Sequence, residues 1–239
     1  MVNAMLEIMK KELSSYYSQK TTILRNVIFL VVFGALTIYQ LTTVVDRYGS
    51  APVYIAAALN VLLALALFFP VQMAGGISVM AFPVERDQKT LEHLLSLPLS
   101  DRQIFLGKFL AAVIAGIAGL ALILVIEFGF IFFSYNVTPG TLLTDNSLNL
   151  MAFAICPMLV ILLILATVIV SSHVSTRETY IVNIFSVFVL LGLNIAVSTL
   201  NIDTLTFNTA LAIVLGVAIV IMYILGMKTF NRESLIKSI

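Results

Sequence analysis

Two sets of residues in this chain have the types and spacing to do chemistry. The first is the run Glu85-Arg86-Asp87-Gln88-Lys89-Thr90-Leu91-Glu92-His93-Leu94-Leu95-Ser96-Leu97-Pro98-Leu99-Ser100-Asp101-Arg102, continuing to Gly107-Lys108. It places Leu91, Leu94 and Leu95 on one helical face and turns Glu92 and His93 away. Its acids, Glu85, Asp87, Glu92 and Asp101, offset its bases. That balance suits docking to a protein better than resting on anionic lipid headgroups. The second is Glu127, a lone carboxylate inside an apolar run. An acid in such a place is a candidate to bind a cation or a proton. It lies 19 residues beyond Lys108, about 28 Å along a helix at ~1.5 Å per residue. That sets it near the outer interface, where an ordinary structural role competes with a functional one.

Other chemistries lack their residues. No G-x-x-x-x-G-K-[ST] loop exists: Gly107-Lys108 is followed by Phe109 and has no upstream glycine. ATP cannot be held by that route. There is no H-E-x-x-H, and His93 and His173 are isolated in polar segments, as solvated or interface histidines are. The single cysteine, Cys156, lies in an apolar run, which excludes a disulfide framework and a Cys-based zinc site. No serine has an evident His–Asp pairing, and no basic stripe exists to hold nucleic acid. The chain is therefore expected to be no enzyme, with no cofactor or metal of its own.

The elements that must position these residues are membrane helices. The 239 residues are 61% hydrophobic and 10% charged, with a mean hydropathy of +1.10; a soluble domain carries roughly 25% charged residues. Hydropathy marks six spans, at 26–45, 53–82, 109–133, 150–170, 179–200 and 207–227. Each reaches the ~20 residues needed to cross ~30 Å of hydrocarbon, and lipid obliges them to be helical. The fold expected is an all-α polytopic membrane protein with one six-helix domain over residues 1–239. Twelve of the thirteen basic residues flank the spans on one side, with only Arg47 opposite. The positive-inside rule then puts both termini and the charged run in the cytoplasm, in a multi-pass protein of the plasma membrane. The first span is too long for a signal-peptide core and is kept in the mature chain.

Residues 2–17 carry Val2, Met5, Leu6, Met9, Leu13, Tyr16 and Tyr17 at helical spacing, while Glu7, Lys11, Ser14 and Ser18 fall elsewhere. This N-terminal segment (1–25) is expected to lie along the cytoplasmic interface, apolar face down; packing on a protein partner fits the same period. The outer loops, 46–52, 134–149 and 201–206, read as short turns. Ala112 with Gly116, and Ala115 with Gly119, make small-xxx-small spacings for close packing within the bundle. Pro70 and Pro157 are expected to kink their spans. Asn60, Gln72, Asn183 and Asn194 read as interhelical hydrogen-bonding groups.

Within the charged run, Pro98 stops a short helix. Ser100 can cap the next helix, with Gln103 completing a capping box, and Leu99 and Ile104 stand in the positions of a hydrophobic staple. The pattern Glu-Arg, Thr-Leu-Glu, Leu-Leu, Pro-Leu-Ser and Gly-Lys resembles the segment between the second and third helices of ABC-2 type transporter permeases. The resemblance implies a coupling helix within residues 83–108 that docks on an ABC ATP-binding subunit. Glu85, Arg86, Thr90, Leu91, Glu92, Leu94, Leu95 and Pro98 would carry the contact. It also implies a second permease copy or paralogue, with ATP and Mg held by the partner ATPase. Two departures stand: Lys89 replaces a glycine common in that family, and the link between spans five and six is too short for external re-entrant helices. The function expected is the permease subunit of an exporter. The alternative is a stand-alone secondary transporter or channel driven by an ion gradient, with two inverted three-helix halves.

Overall fold

The structure, a computed structural model, describes residues 2–79, 100–171, 192 and 204–229. Among these, every regular element is helical and there is no strand. The N-terminal helix α1 (Val2–Ser18) is followed by α2 (Lys20–Tyr48), α3 (Pro52–Ala66) and α4 (Phe68–Val79). Next come α5 (Asp101–Tyr135), the short α6 (Pro139–Leu142) and α7 (Asn146–Leu150), a π-helical turn over Met151–Ile155, α8 (Cys156–Ser171) and α9 (Thr204–Thr229). Five helical stretches are long and apolar enough to cross a membrane: Lys20–Tyr48, Pro52–Ser78, Asp101–Tyr135, Asn146–Ser171 and Thr204–Lys228. They match five of the six expected spans. The span at 179–200 and the coupling helix lie outside the described residues, as do His93, His173, Asn183, Asn194 and the tail beyond 229.

Four of the five stretches outrun their hydropathy windows because their ends are polar. At 35 residues, α5 is about 52 Å long and overshoots ~30 Å of hydrocarbon; the excess includes its first turns. Its start is the expected capping box: Ser100 N–H donates to Gln103 Oε1 (2.8 Å) and Gln103 N–H to Ser100 Oγ (3.3 Å). It ends at Asn136, in the left-handed conformation with φ 54°. The loop expected over 134–149 is more ordered than turn chemistry suggested. It contains α6 and α7, and Asp145 caps α7 by accepting from Leu148 N–H (3.0 Å). A Pro at N1 and an Asx cap suffice to start such short helices.

Both prolines interrupt their spans. Pro70 has no N–H, and the second span breaks three residues earlier, at Leu67, between α3 and α4. There the ladder survives through Leu67 N–H to Leu63 O and Val71 N–H to Leu67 O, both 3.1 Å. Ahead of Pro157, Cys156 N–H reaches back five residues to Met151 O, widening the fourth span by one residue.

Helix α5 is the spine, packed between α4 and α8. A Cβ on Gly116 would lie 2.8 Å from Val160 Cγ1 and 3.2 Å from Ala74 Cβ, and one on Gly119 would lie 3.1 Å from Pro70 Cα. The small residues thus let three helices meet almost backbone to backbone, as their spacing predicts. Helix α2 joins through a narrow seam, Gly34, Thr37, Leu41 and Val45, with Phe33 stacked on Phe68 of α4 at 4.8 Å. Helices α2 and α9 carry much exposed apolar surface, including Leu24, Val31, Ile213 and Val217.

Candidate functional site

The first turns of α5, where the charged run enters the bundle, are covered by α1. Residues Ile8, Glu12 and Tyr16, four apart, form the buried stripe of α1. Ile8 presses on Gly107, whose missing side chain makes room: a Cβ there would stand 2.8 Å from Ile8 Cγ2 and 3.2 Å from Met5 O. One residue on, Lys108 is fully buried, and its Nζ donates to Glu12 Oε1 at 2.9 Å. A charge so enclosed persists only with a partner.

Tyr16 makes the second attachment. It is 1% exposed, and its ring sits where a Cβ on Gly76 of α4 would approach within 2.7 Å of its Oη. Its hydroxyl donates to Asn26 Oδ1 (3.2 Å) and accepts from Arg25 Nη2 (3.4 Å), both on α2. Beside it, burial and then the neighbouring Tyr16 push the Tyr17 hydroxyl above the usual phenol range. A single helix thus ties together α2, α4 and α5 at one end of the bundle.

Sequence reasoning found this helix and part of the face it buries: Tyr16 is buried, and Met9 and Leu13 pack against the core. Leu6 and Tyr17, counted in its apolar face, are exposed, whereas Ile8 and Glu12 are buried. Periodicity treats charges as solvent-facing, so Glu12 and Lys108 could not be seen as a pair across 96 positions. The available signal was Gly107-Lys108 itself, a small residue and a cation at the mouth of an apolar helix.

Of the expected site residues, Glu85, Arg86, Thr90, Leu91, Glu92, Leu94, Leu95 and Pro98 lie outside the described residues. Glu127 is described. It is 3% exposed on α5, and neither carboxyl oxygen has a hydrogen-bond partner. Thr37 of α2 faces it, but the Thr37 hydroxyl donates to Gly34 O (3.0 Å).

Toward the other end, Asn60 of α3 plays the interhelical part expected of it. Its Nδ2 donates to Ser147 Oγ. Asn208 Nδ2 of α9 donates to Asn60 Oδ1 (3.3 Å) and to Ser147 O and Oγ (both 3.2 Å). This clasp borders an open cavity of about 350 Å³, lined by Asn60, Asp145, Ser147 and Thr204 among others. Among the described residues, no group of three or more His, Cys, Asp or Glu side chains could hold a metal.

A search of curated proteins returned no match to this chain. The helical, multi-pass architecture agrees with the permease resemblance. Residues 6–202 match the sequence profile of the ABC-2 family transporter proteins, and the chain belongs to that family.

Proposed function

We propose that the chain is the transmembrane subunit of an ATP-driven exporter, with its single six-helix domain coupled to a separate ABC ATPase subunit that holds ATP and Mg. The end of the bundle that carries α1 faces the cytoplasm in this reading, as the basic residues there favour. Segment 83–108 is the coupling segment, and Leu91, Glu92, Leu94, Leu95 and Pro98 touch the ATPase. A second copy or a paralogue completes the path.

The observation that carries the reading is the way residues 100–108 join the bundle. The capping box starts α5 without slack, and within two turns Gly107 and Lys108 are held under α1. A push on the segment before Ser100 is therefore delivered to the α5 spine and to α1 together, a rigid-body transmission. ATP-driven closure of the partner would tilt the second and third spans by this route.

Leu94→Asp tests it. The variant is expected to insert normally but to lose co-purification with the ATPase subunit and nucleotide-dependent transport. Unchanged co-purification and transport would overturn the coupling assignment.

A further inference from the structure

We propose that Glu127 is a proton-binding site within the membrane, which exchanges its proton with water reaching it from the outer face when α2 moves off α5. Among the described residues, Glu127 alone has buried side-chain oxygens without a hydrogen-bond partner. The other buried polar groups, including Asn26, Thr37, Asn60, Lys108, Thr167, Ser171 and Asn208, all bond. A bare carboxylate in an apolar enclosure is strongly disfavoured, and a proton on one oxygen removes the charge without needing a cavity.

Among the described residues, the surroundings offer no other neutralising charge. Helix α2 contributes Thr37, already bonded to its own backbone. Helix α8 contributes the thiol of Cys156, buried at the end of the π turn. Helices α1 and α4 meet α5 at Gly107, Gly116 and Gly119, nearer the basic end. Asp46, in the last turn of α2, lies by Tyr135, eight residues along α5 from Glu127, or about 12 Å.

The geometry also supplies a door. Helix α2 meets this part of α5 along a seam that includes Gly34, beside Ile123, and Thr37, facing Glu127, while Tyr39 on its other side is exposed. Parting that one seam wets Glu127 and lets the proton leave to water; closing it requires the proton back. The α2–α5 movement is thereby linked to outer pH, whichever subunit supplies the energy for transport.

The test uses the full chain in liposomes treated with dicyclohexylcarbodiimide, which attacks protonated carboxyls in apolar surroundings. Peptide mass spectrometry across a pH series reads the adduct. An adduct on Glu127, lost as pH rises and absent with a water-soluble carbodiimide, is expected. No adduct on Glu127 at any pH, or one that does not change with pH, overturns the proposal. Infrared spectra provide a second reading that needs no bulky reagent to enter. A protonated-carboxyl stretch, present in the wild type and missing in E127Q, is expected; a carboxylate stretch at every pH overturns it. The adduct is read on the wild-type chain, so it decides the matter even where E127Q fails to accumulate.

Discussion

Lys108 and Glu127 sit on one helix, both buried, both of a type that apolar surroundings exclude, yet the chain treats them oppositely. Lys108 stands in the overshooting first turns of α5, and a separate helix brings Glu12 to it at 2.9 Å. Glu127 stands deep in the spine, where α2 and α8 bring a hydroxyl bonded elsewhere and a buried thiol. A paired charge fixes where two elements meet. An unpaired acid fixes nothing and is left able to change state. The basic end of the bundle is therefore built as a joint, whereas the region around Glu127 is, in the proposal above, a place where a proton is bound and released.

The sharpest way to break this contrast is to orphan one charge of the joint. Lys108→Met leaves Glu12 buried without its partner, and removing one member of a buried pair costs about 3–5 kcal/mol. We expect a large loss of stability in detergent unfolding titrations. The double variant Glu12→Met with Lys108→Met should recover most of it, because two apolar side chains of similar length can replace a buried pair. Failure of the double variant to recover would mean that the pair does more than close the joint.

Overfilling the same joint comes next in size. Gly76→Val puts a side chain where the Tyr16 hydroxyl and Arg25 already stand, at 2.7 and 2.9 Å from the first added carbon. Such overpacking costs about 1–3 kcal/mol. Protease accessibility of α1 should rise, since the helix is the movable partner. The companion variant Tyr16→Ala with Gly76→Val should restore close packing of α4 but not the attachment of α1, which separates steric from anchoring effects.

How much of this was legible beforehand follows from the range of each interaction. The capping box at Ser100 and Gln103, the small-residue stripe of α5, the two proline breaks and the bonding role of Asn60 all depend on local spacing or a residue's own chemistry. Glu127 was equally visible, because an acid in an apolar run needs no partner to be noticed. The Glu12–Lys108 joint was not, since its halves are far apart in the chain and each alone looks like a surface charge. For the same reason the helix α1 was placed but its buried face was only partly read: Met9, Leu13 and Tyr16 were in it, Ile8 and Glu12 were not. Helices α6 and α7 were missed because a proline and an aspartate at helix starts are also turn residues. The clasp of Asn208 on Asn60 and Ser147 required knowing that α9 returns beside α3.

That clasp gives the third and milder perturbation. Asn208→Ala removes the hydrogen bonds holding α9 to α3 and α7. Interhelical bonds of this kind in membranes average ~0.6 kcal/mol, with a maximum near ~1.7. We expect a small drop in Tm and freer cross-linking between α9 and its neighbours, with α1 and the joint unaffected. A loss matching that of Lys108→Met would show that the two ends of the bundle unfold together.

The smallest effect is expected where the opposite charge is removed from the same helix. Glu127→Gln exchanges one neutral group for another of nearly equal size if a proton already sits on the carboxyl. No hydrogen bond is lost, since neither oxygen makes one, and the change in stability should stay below ~1 kcal/mol. The comparison with Lys108→Met is then direct: both variants delete an ionisable group from the buried face of α5, one with a partner left behind and one without. A fall at Glu127 as large as that at Lys108 would mean the carboxylate has a partner of its own. In that case Glu127 would belong with the joints of the fold, and its freedom to exchange a proton would go with it.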